Sequence, residues 1–133
     1  MKSTLIPPKH ATELSHFYTW LADDGICRTV AKTNAEITLH SANENTQIIT
    51  SFYNSKKFPL LVDTRNMKSI TRDARSHFST NGRDTKINCM ALIVKSPISR
   101  VIGNFFIGLN KPQVPARLFD AEHEAINWLK QFV

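Results

Sequence analysis

PLLVDTRNMKSITRDARSHFSTNGRDTKINCMALIV, residues 59–94, sets two short apolar runs on either side of a polar segment of helix length. Neither Pro59 to Asp63 nor Cys89 to Val94 alternates apolar with polar residues. Each therefore reads as a strand covered on both faces, as in a parallel sheet between layers of helices. Between them, Thr71 is placed to open a helix with Ala74, His77 and Phe78 turned inward, and Asn81-Gly82 to close it. Two parallel strands joined through a helix imply a right-handed crossover.

The flanking segments extend the same layering. Leu14 to Leu21 (LSHFYTWL) reads as a strand, Asp23-Asp24-Gly25 as a hairpin turn, and Ile26 to Ala31 (ICRTVA) as the returning strand. Residues 1–13, stiffened by Pro7 and Pro8, read as an N-terminal tail. Thr38 is placed as a helix N-cap, with Leu39, Ala42, Ile49, Phe52 and Tyr53 inward and Asn43, Asn45 and Gln47 on the polar side. Lys56-Lys57 would close that helix, since cations suit its negative end. Pro97 suits a first helical turn, and Ile98, Val101, Ile102, Phe105, Phe106 and Leu109 follow at helical spacing. Val114 to Phe119 reads as a last strand, and Asp120 as the cap of a final helix with Ala121, Ala125, Ile126, Trp128, Leu129 and Phe132. The order is β-β-α-β-α-β-α-β-α. It predicts an α/β domain over residues 14–133, with four to five mostly parallel strands, an N-terminal hairpin and four covering helices.

Composition narrows the classes of function. A chain of 133 residues, 41% hydrophobic and 21% charged, suits one globular domain. Val101 to Leu109 is too short to span a membrane, and MKSTLIPPKH lacks the apolar core of a secretory signal. Cys27 and Cys89 sit singly in apolar runs and read as buried free thiols of a cytoplasmic protein. The histidines at 10, 16, 40, 77 and 123 lack zinc-site spacing, so no metal and no other cofactor is expected. Gly25, Gly82, Gly103 and Gly108 cannot form a dinucleotide fingerprint or a Walker loop, and neither GxSxG nor HExxH occurs. The expectation is a non-catalytic protein.

The charge is +6, and Lys56 to Arg100 holds ten basic residues against Asp63, Asp73 and Asp84. Lys68, Arg72 and Arg75 form a small basic patch, but no helix-turn-helix or RNA-binding aromatic motif accompanies them. A nucleic-acid partner is not expected. Ligands of parallel α/β sheets gather beyond the carboxyl ends of the strands. Asp63 and Arg65 end one strand, Ser96 follows another, and Ser99, Arg100 and Asn104 belong to the next helix. Together they could take a small anion or a partner's carboxylate; the competing reading is an Asp–Arg contact that ties loops together. Gly103 and Ile107 lie off the apolar stripe of that helix, a face suited to packing against a second copy.

Residues 59–78, ALIVKSPISRVIGNFFIGLN (91–110), PARLFDAEHEAINWL (115–129), the DDGI turn (23–26) and EITLHSA (36–42) together resemble bacterial STAS/SEC14-like proteins. These are the SpoIIAA-like relatives of anti-sigma-factor antagonists. The resemblance covers roughly residues 14–132, and it implies a STAS-like fold used for regulatory protein–protein contact without catalysis. In that family a serine of an Asp-Ser-Ser-Gly-like turn is phosphorylated; the corresponding DTRNMKSITR (63–72) lacks that sequence and offers Ser69 and Thr71. A phosphate there would meet the free N–H groups of a helix start. The SEC14-like side of the resemblance implies a second use, a carrier of a small ligand or lipid, which would need a large apolar pocket. The homodimer reading has a direct check: Ile107→Glu is expected to convert a dimer to a monomer, read by light scattering after size exclusion.

Overall fold

The computed structural model describes residues 3–80, 86–95, 100 and 114–133. Its main sheet is built from β1 (Thr12–Glu13), β2 (Phe17–Leu21), β3 (Cys27–Ala31), β5 (Phe58–Asp63), β7 (Ile87–Ile93) and β8 (Ala116–Phe119), side by side in that order. Two further short strands, β4 (Glu36–Ile37) and β6 (Ser69–Ile70), pair parallel to each other in a second small sheet. The helices among the described residues are α1 (Leu39–Ser51), α2 (Arg72–Thr80) and α3 (Glu122–Leu129), the last followed by a 3-10 turn, Lys130–Phe132. β1, β2 and β3 run antiparallel, and β3, β5, β7 and β8 run parallel.

The mixed α/β class and the central, mostly parallel sheet agree with the sequence. The counts differ. Six strands rather than four or five form the main sheet, and β4 and β6 were not anticipated because two-residue strands leave no periodicity to read. Three helices are described rather than four; the expected helix around 97–109 falls outside the described residues, save Arg100. Asn81-Gly82, the expected end of α2, falls outside them as well.

The uninterrupted runs PLLVD and CMALIV do bury both faces. Leu61, Cys89, Ala91 and Ile93 point to one side, where they meet Ala125 and Leu129 of α3. Leu60, Met90 and Leu92 point to the other and join Ile49 of α1 and the half-buried Phe78 of α2. Burial also pushes the thiols of Cys27 and Cys89 up to about 12, so both stay protonated at neutral pH.

Helix ends obey local chemistry, with two corrections. The N-cap of α1 is Thr38, as expected, in a reciprocal box: Ser41 N–H donates to Thr38 Oγ1 at 3.3 Å, and Thr38 N–H donates to Ser41 Oγ at 2.8 Å. Lys56-Lys57 does not close that helix. It stops at Ser51, with Phe52 N–H donating to the Ile49 carbonyl and Tyr53 N–H to the Thr50 carbonyl, each at 3.1 Å, and the chain then turns through Ser55 at φ 69 to enter β5. Asp120 does not cap α3 either: it pairs with Arg100, and the cap position falls on Ala121, which has no side-chain bond to give. Leu39 and Tyr53, expected inside, are exposed.

Asn45 is the main reversal. Its spacing put it on the polar face of α1, yet it is 1% exposed. It faces a pair of threonines opposite each other on β2 and β3: Thr19 Oγ1 donates to Asn45 Oδ1 at 2.5 Å and lies 3.1 Å from Thr29 Oγ1, while Asn45 Nδ2 donates to Thr29 Oγ1 at 3.4 Å. Buried polar groups persist only with partners, and here each supplies the others'.

The first residues pack back on the sheet. Leu5 is buried in the α3 layer, and β1 pairs with β2 through Thr12↔Thr19 and Glu13↔Tyr18. Thr4 also accepts from Arg28 Nη2 at 3.3 Å. Arg28, 2% exposed, is held mainly by the Asp24 carboxylate, with Nη1 and Nη2 each donating at 2.9 Å. Burial pushes the Asp24 carboxyl up, but the bonds from Arg28 and Ile26 N–H and the charges of Arg28 and Lys130 outweigh it and hold the acid below its usual range.

A group whose folded value is depressed contributes stability above its unfolded value, near 3.9, and that contribution is lost as pH falls through the folded value. Asp24→Asn is expected to cost about 1–3 kcal/mol at pH 7 and to flatten the loss of stability on the acid side, read by urea unfolding from pH 7 to pH 2.5. Asn45→Ala, which leaves two buried hydroxyls short of a partner, is expected to cost about 1–3 kcal/mol; a midpoint unchanged from wild type in the same assay would contradict the network's role.

Candidate functional site

β5 and β7 end side by side, and their carboxyl ends gather the charged groups of this region. Asp63 is the last residue of β5 and is 3% exposed. A carboxylate so buried needs a partner, and the chain supplies one two residues later. Asp63 Oδ1 accepts from Arg65 N–H at 3.0 Å and from Arg65 Nε at 2.9 Å; Oδ2 accepts from Arg65 Nη2 at 2.9 Å. This is a two-pronged guanidinium–carboxylate contact closed by a backbone bond. It holds Arg65 above its ordinary value, chiefly through the hydrogen bond to Asp63. Between the two, Thr64 ties the loop to β7: its N–H and Oγ1 both donate to Ile93 carbonyl, at 3.1 and 2.8 Å.

The contact is half open. The Asp63 side chain is 4% exposed and that of Arg65 is 29% exposed, so the cation presents its outer side to solvent. Glu122, at the start of α3, lies within electrostatic reach of Arg65. It accepts from Ser3 Oγ at 2.6 Å and from Thr4 N–H at 2.8 Å. Burial raises the Glu122 carboxyl; the bonds from Ser3 and Thr4 and the charge of Arg65 together bring it below the usual carboxylate range. Arg100 and Asp120 form an exposed ion pair. The end of the sheet thus presents two acid–base pairs, Asp63 with Arg65 and Asp120 with Arg100, and a further acid, Glu122, held by Ser3 and Thr4.

Of the residues singled out in the sequence, Asp63 and Arg65 meet in a direct carboxylate–guanidinium contact. Arg100 is held by Asp120. Ser96, Ser99, Asn104, Gly103 and Ile107 lie outside the described residues. Ser69 lies in β6, half-buried and in register with Glu36. Thr71 donates to the Asp73 carboxylate and accepts from Ala74 N–H at 3.3 Å, so its hydroxyl is engaged at the start of α2. Of the basic residues around the start of α2, Lys68 stands 4.0 Å from Glu36, and Arg75 Nη1 donates to Ile70 carbonyl at 3.0 Å. Glu122 was not anticipated at this site. An Asp-x-Arg spacing advertises itself locally, whereas the bonds from Ser3 and Thr4 to Glu122 join opposite ends of the sequence.

Between the sheet and the α1–α2 layer lies an apolar cavity of about 60 Å³, lined mainly by apolar side chains such as Phe17, Leu60, Met67, Phe78 and Met90, with Thr29, Asn45, Thr64 and Arg75 among its lining residues. Among the described residues no group of histidines, cysteines and carboxylates could hold a metal ion. Nor, among them, is any helix long and apolar enough to cross a membrane.

Solved structures share this architecture. An uncharacterised DUF3478-family protein from Shewanella loihica PV-4, described as having a SpoIIAA-like fold, superposes with a TM-score of 0.60 at 14% identity, over 89% of this chain and 98% of its own. An anti-sigma factor antagonist from Mycobacterium paratuberculosis gives a TM-score of 0.60 at 16% identity, over 86% and 94% of the two chains. A protein of unknown function from Arthrobacter sp. fb24 is 30% identical over 84% of this chain and 96% of its own, but its TM-score of 0.33 is too low to bear on the fold. No curated protein matches the chain. The domain has the STAS-like, SpoIIAA-like fold. A family model described as a domain of unknown function, DUF7793, matches residues 19–133, and the chain belongs to that family.

Proposed function

We propose that the chain is a non-catalytic regulatory module that binds another protein through the carboxyl ends of β5 and β7, with Arg65 as the central contact. The observation that carries this reading is the half-open Asp63–Arg65 contact. Its buried acid fixes the guanidinium in place before any partner arrives, and 29% of the Arg65 side chain stays accessible. A cation so held loses little freedom on binding, which favours affinity. The shared fold with an anti-sigma factor antagonist supports a protein as the partner class.

Covalent modification is not needed for this reading. A phosphate on Thr71 would stand beside the Asp73 carboxylate, and one on Ser69 beside Glu36 in the paired strand, so both would meet like charge. Carriage of a lipid tail, the alternative use of such a fold, draws little support from a cavity of about 60 Å³. Pockets that enclose drug-sized ligands usually span about 300–1,000 Å³.

Affinity capture from the native host, comparing wild type with Arg65→Glu, tests the proposal. The expected result is a defined protein retained by wild type and lost by the variant, with circular dichroism confirming that both are folded. Retention of the same partners by both proteins would overturn it.

A further inference from the structure

The opposite end of the sheet, where β3 and β5 begin, holds a second concave site of about 190 Å³. Leu21 at the end of β2 and Phe52 after α1 supply half-buried apolar lining, and Gly25 and Val133, which lie close together, complete it. Lys56 and Lys57 line it as well. Both lysines are exposed, and no ion pair to a carboxylate is formed by either among the described residues. Nearby, Lys86 Nζ sits 4.7 Å over the ring of Tyr53, itself 40% exposed.

Two features set this place apart from an ordinary solvated basic surface. The lysines share the concavity with apolar groups, so a molecule entering it displaces water from both. The loop that presents them turns through Ser55 at φ 69, a left-handed conformation that non-glycine residues adopt at a cost. Neighbouring like charges next to a low-dielectric wall concentrate an attraction for anions. We propose that this concavity binds a small organic anion: a flat apolar body resting on Leu21 and Phe52, with a phosphate or carboxylate group held by the ammonium groups of Lys56 and Lys57. The site lies across the sheet from Arg65 and stands independently of the protein-binding role assigned there.

The test is an amide-resolved NMR titration of the full chain with 1-naphthyl phosphate, set beside inorganic phosphate alone and 1-naphthol alone. Saturable shifts centred on Gly25, Phe52, Lys56 and Lys57 are expected, with each half-ligand binding about tenfold or more weakly than the whole. Lys56→Gln with Lys57→Gln, two exposed positions, is expected to lower the affinity about tenfold or more while leaving the rest of the spectrum in place. Three results would each overturn the proposal: no saturable shift at the site, unchanged affinity in the double variant, or inorganic phosphate binding as tightly as the aryl phosphate.

Discussion

Parallel pairing of β5 with β7 removes both faces of two adjacent strands from water, and the surrounding architecture answers that demand. A strand so placed cannot alternate; it must offer apolar side chains up and down, as Leu60, Leu61, Met90 and Ala91 do. Each face then needs its own cover. α3 supplies one through Ala125 and Leu129, and Ile49 of α1 with the half-buried Phe78 of α2 contributes to the other. Parallel strands also cannot be joined by a tight turn, so the chain must cross over between β5 and β7, and α2 lies in that crossover.

The same pairing decides where chemistry can gather. Both strands point their last residues to one end, so the side chains after β5 and β7 converge without any long-range design. Asp63 is carried below the surface there by the strand it terminates, and Arg65 is the nearest cation that can follow it. Burying a carboxylate is costly, and a pair of this kind is weak support for the fold but strong support for geometry. Its effect is to fix one guanidinium at the rim. Glu122, an acid from a distant part of the sequence, then adds to the field around it.

Sequence patterns gave access to the elements whose periodicity is long enough to read. The continuous runs at 59–63 and 89–94, the hairpin around Asp24-Gly25 and the Thr38 cap depend on neighbours a few residues away. What escaped depends on contacts distant along the chain. Asn45 looks solvated in isolation and becomes buried only because Thr19 and Thr29 meet it from another element. Asp120 has the ideal side chain for a helix cap, yet Arg100 claims it. β4 and β6 are too short to show a period, and each exists because the other lies alongside. At the candidate site, the Asp63–Arg65 contact was legible from spacing, whereas the burial of Asp63 beneath the half-open Arg65 was a matter of distances and packing.

The way residues 3–13 fold back also bears on where a recombinant version of this domain should begin. The recognised family region starts at residue 19, inside β2. Cutting there would strip β1 from the sheet margin, pull Leu5 out from beneath α3 and take away the hydroxyl that Arg28 leans on. Glu122 would be stripped of its donors Ser3 and Thr4 in the same stroke. A gene fragment trimmed to the homology boundary would thus encode a protein with an opened flank, prone to stick to its neighbours along the bared strand.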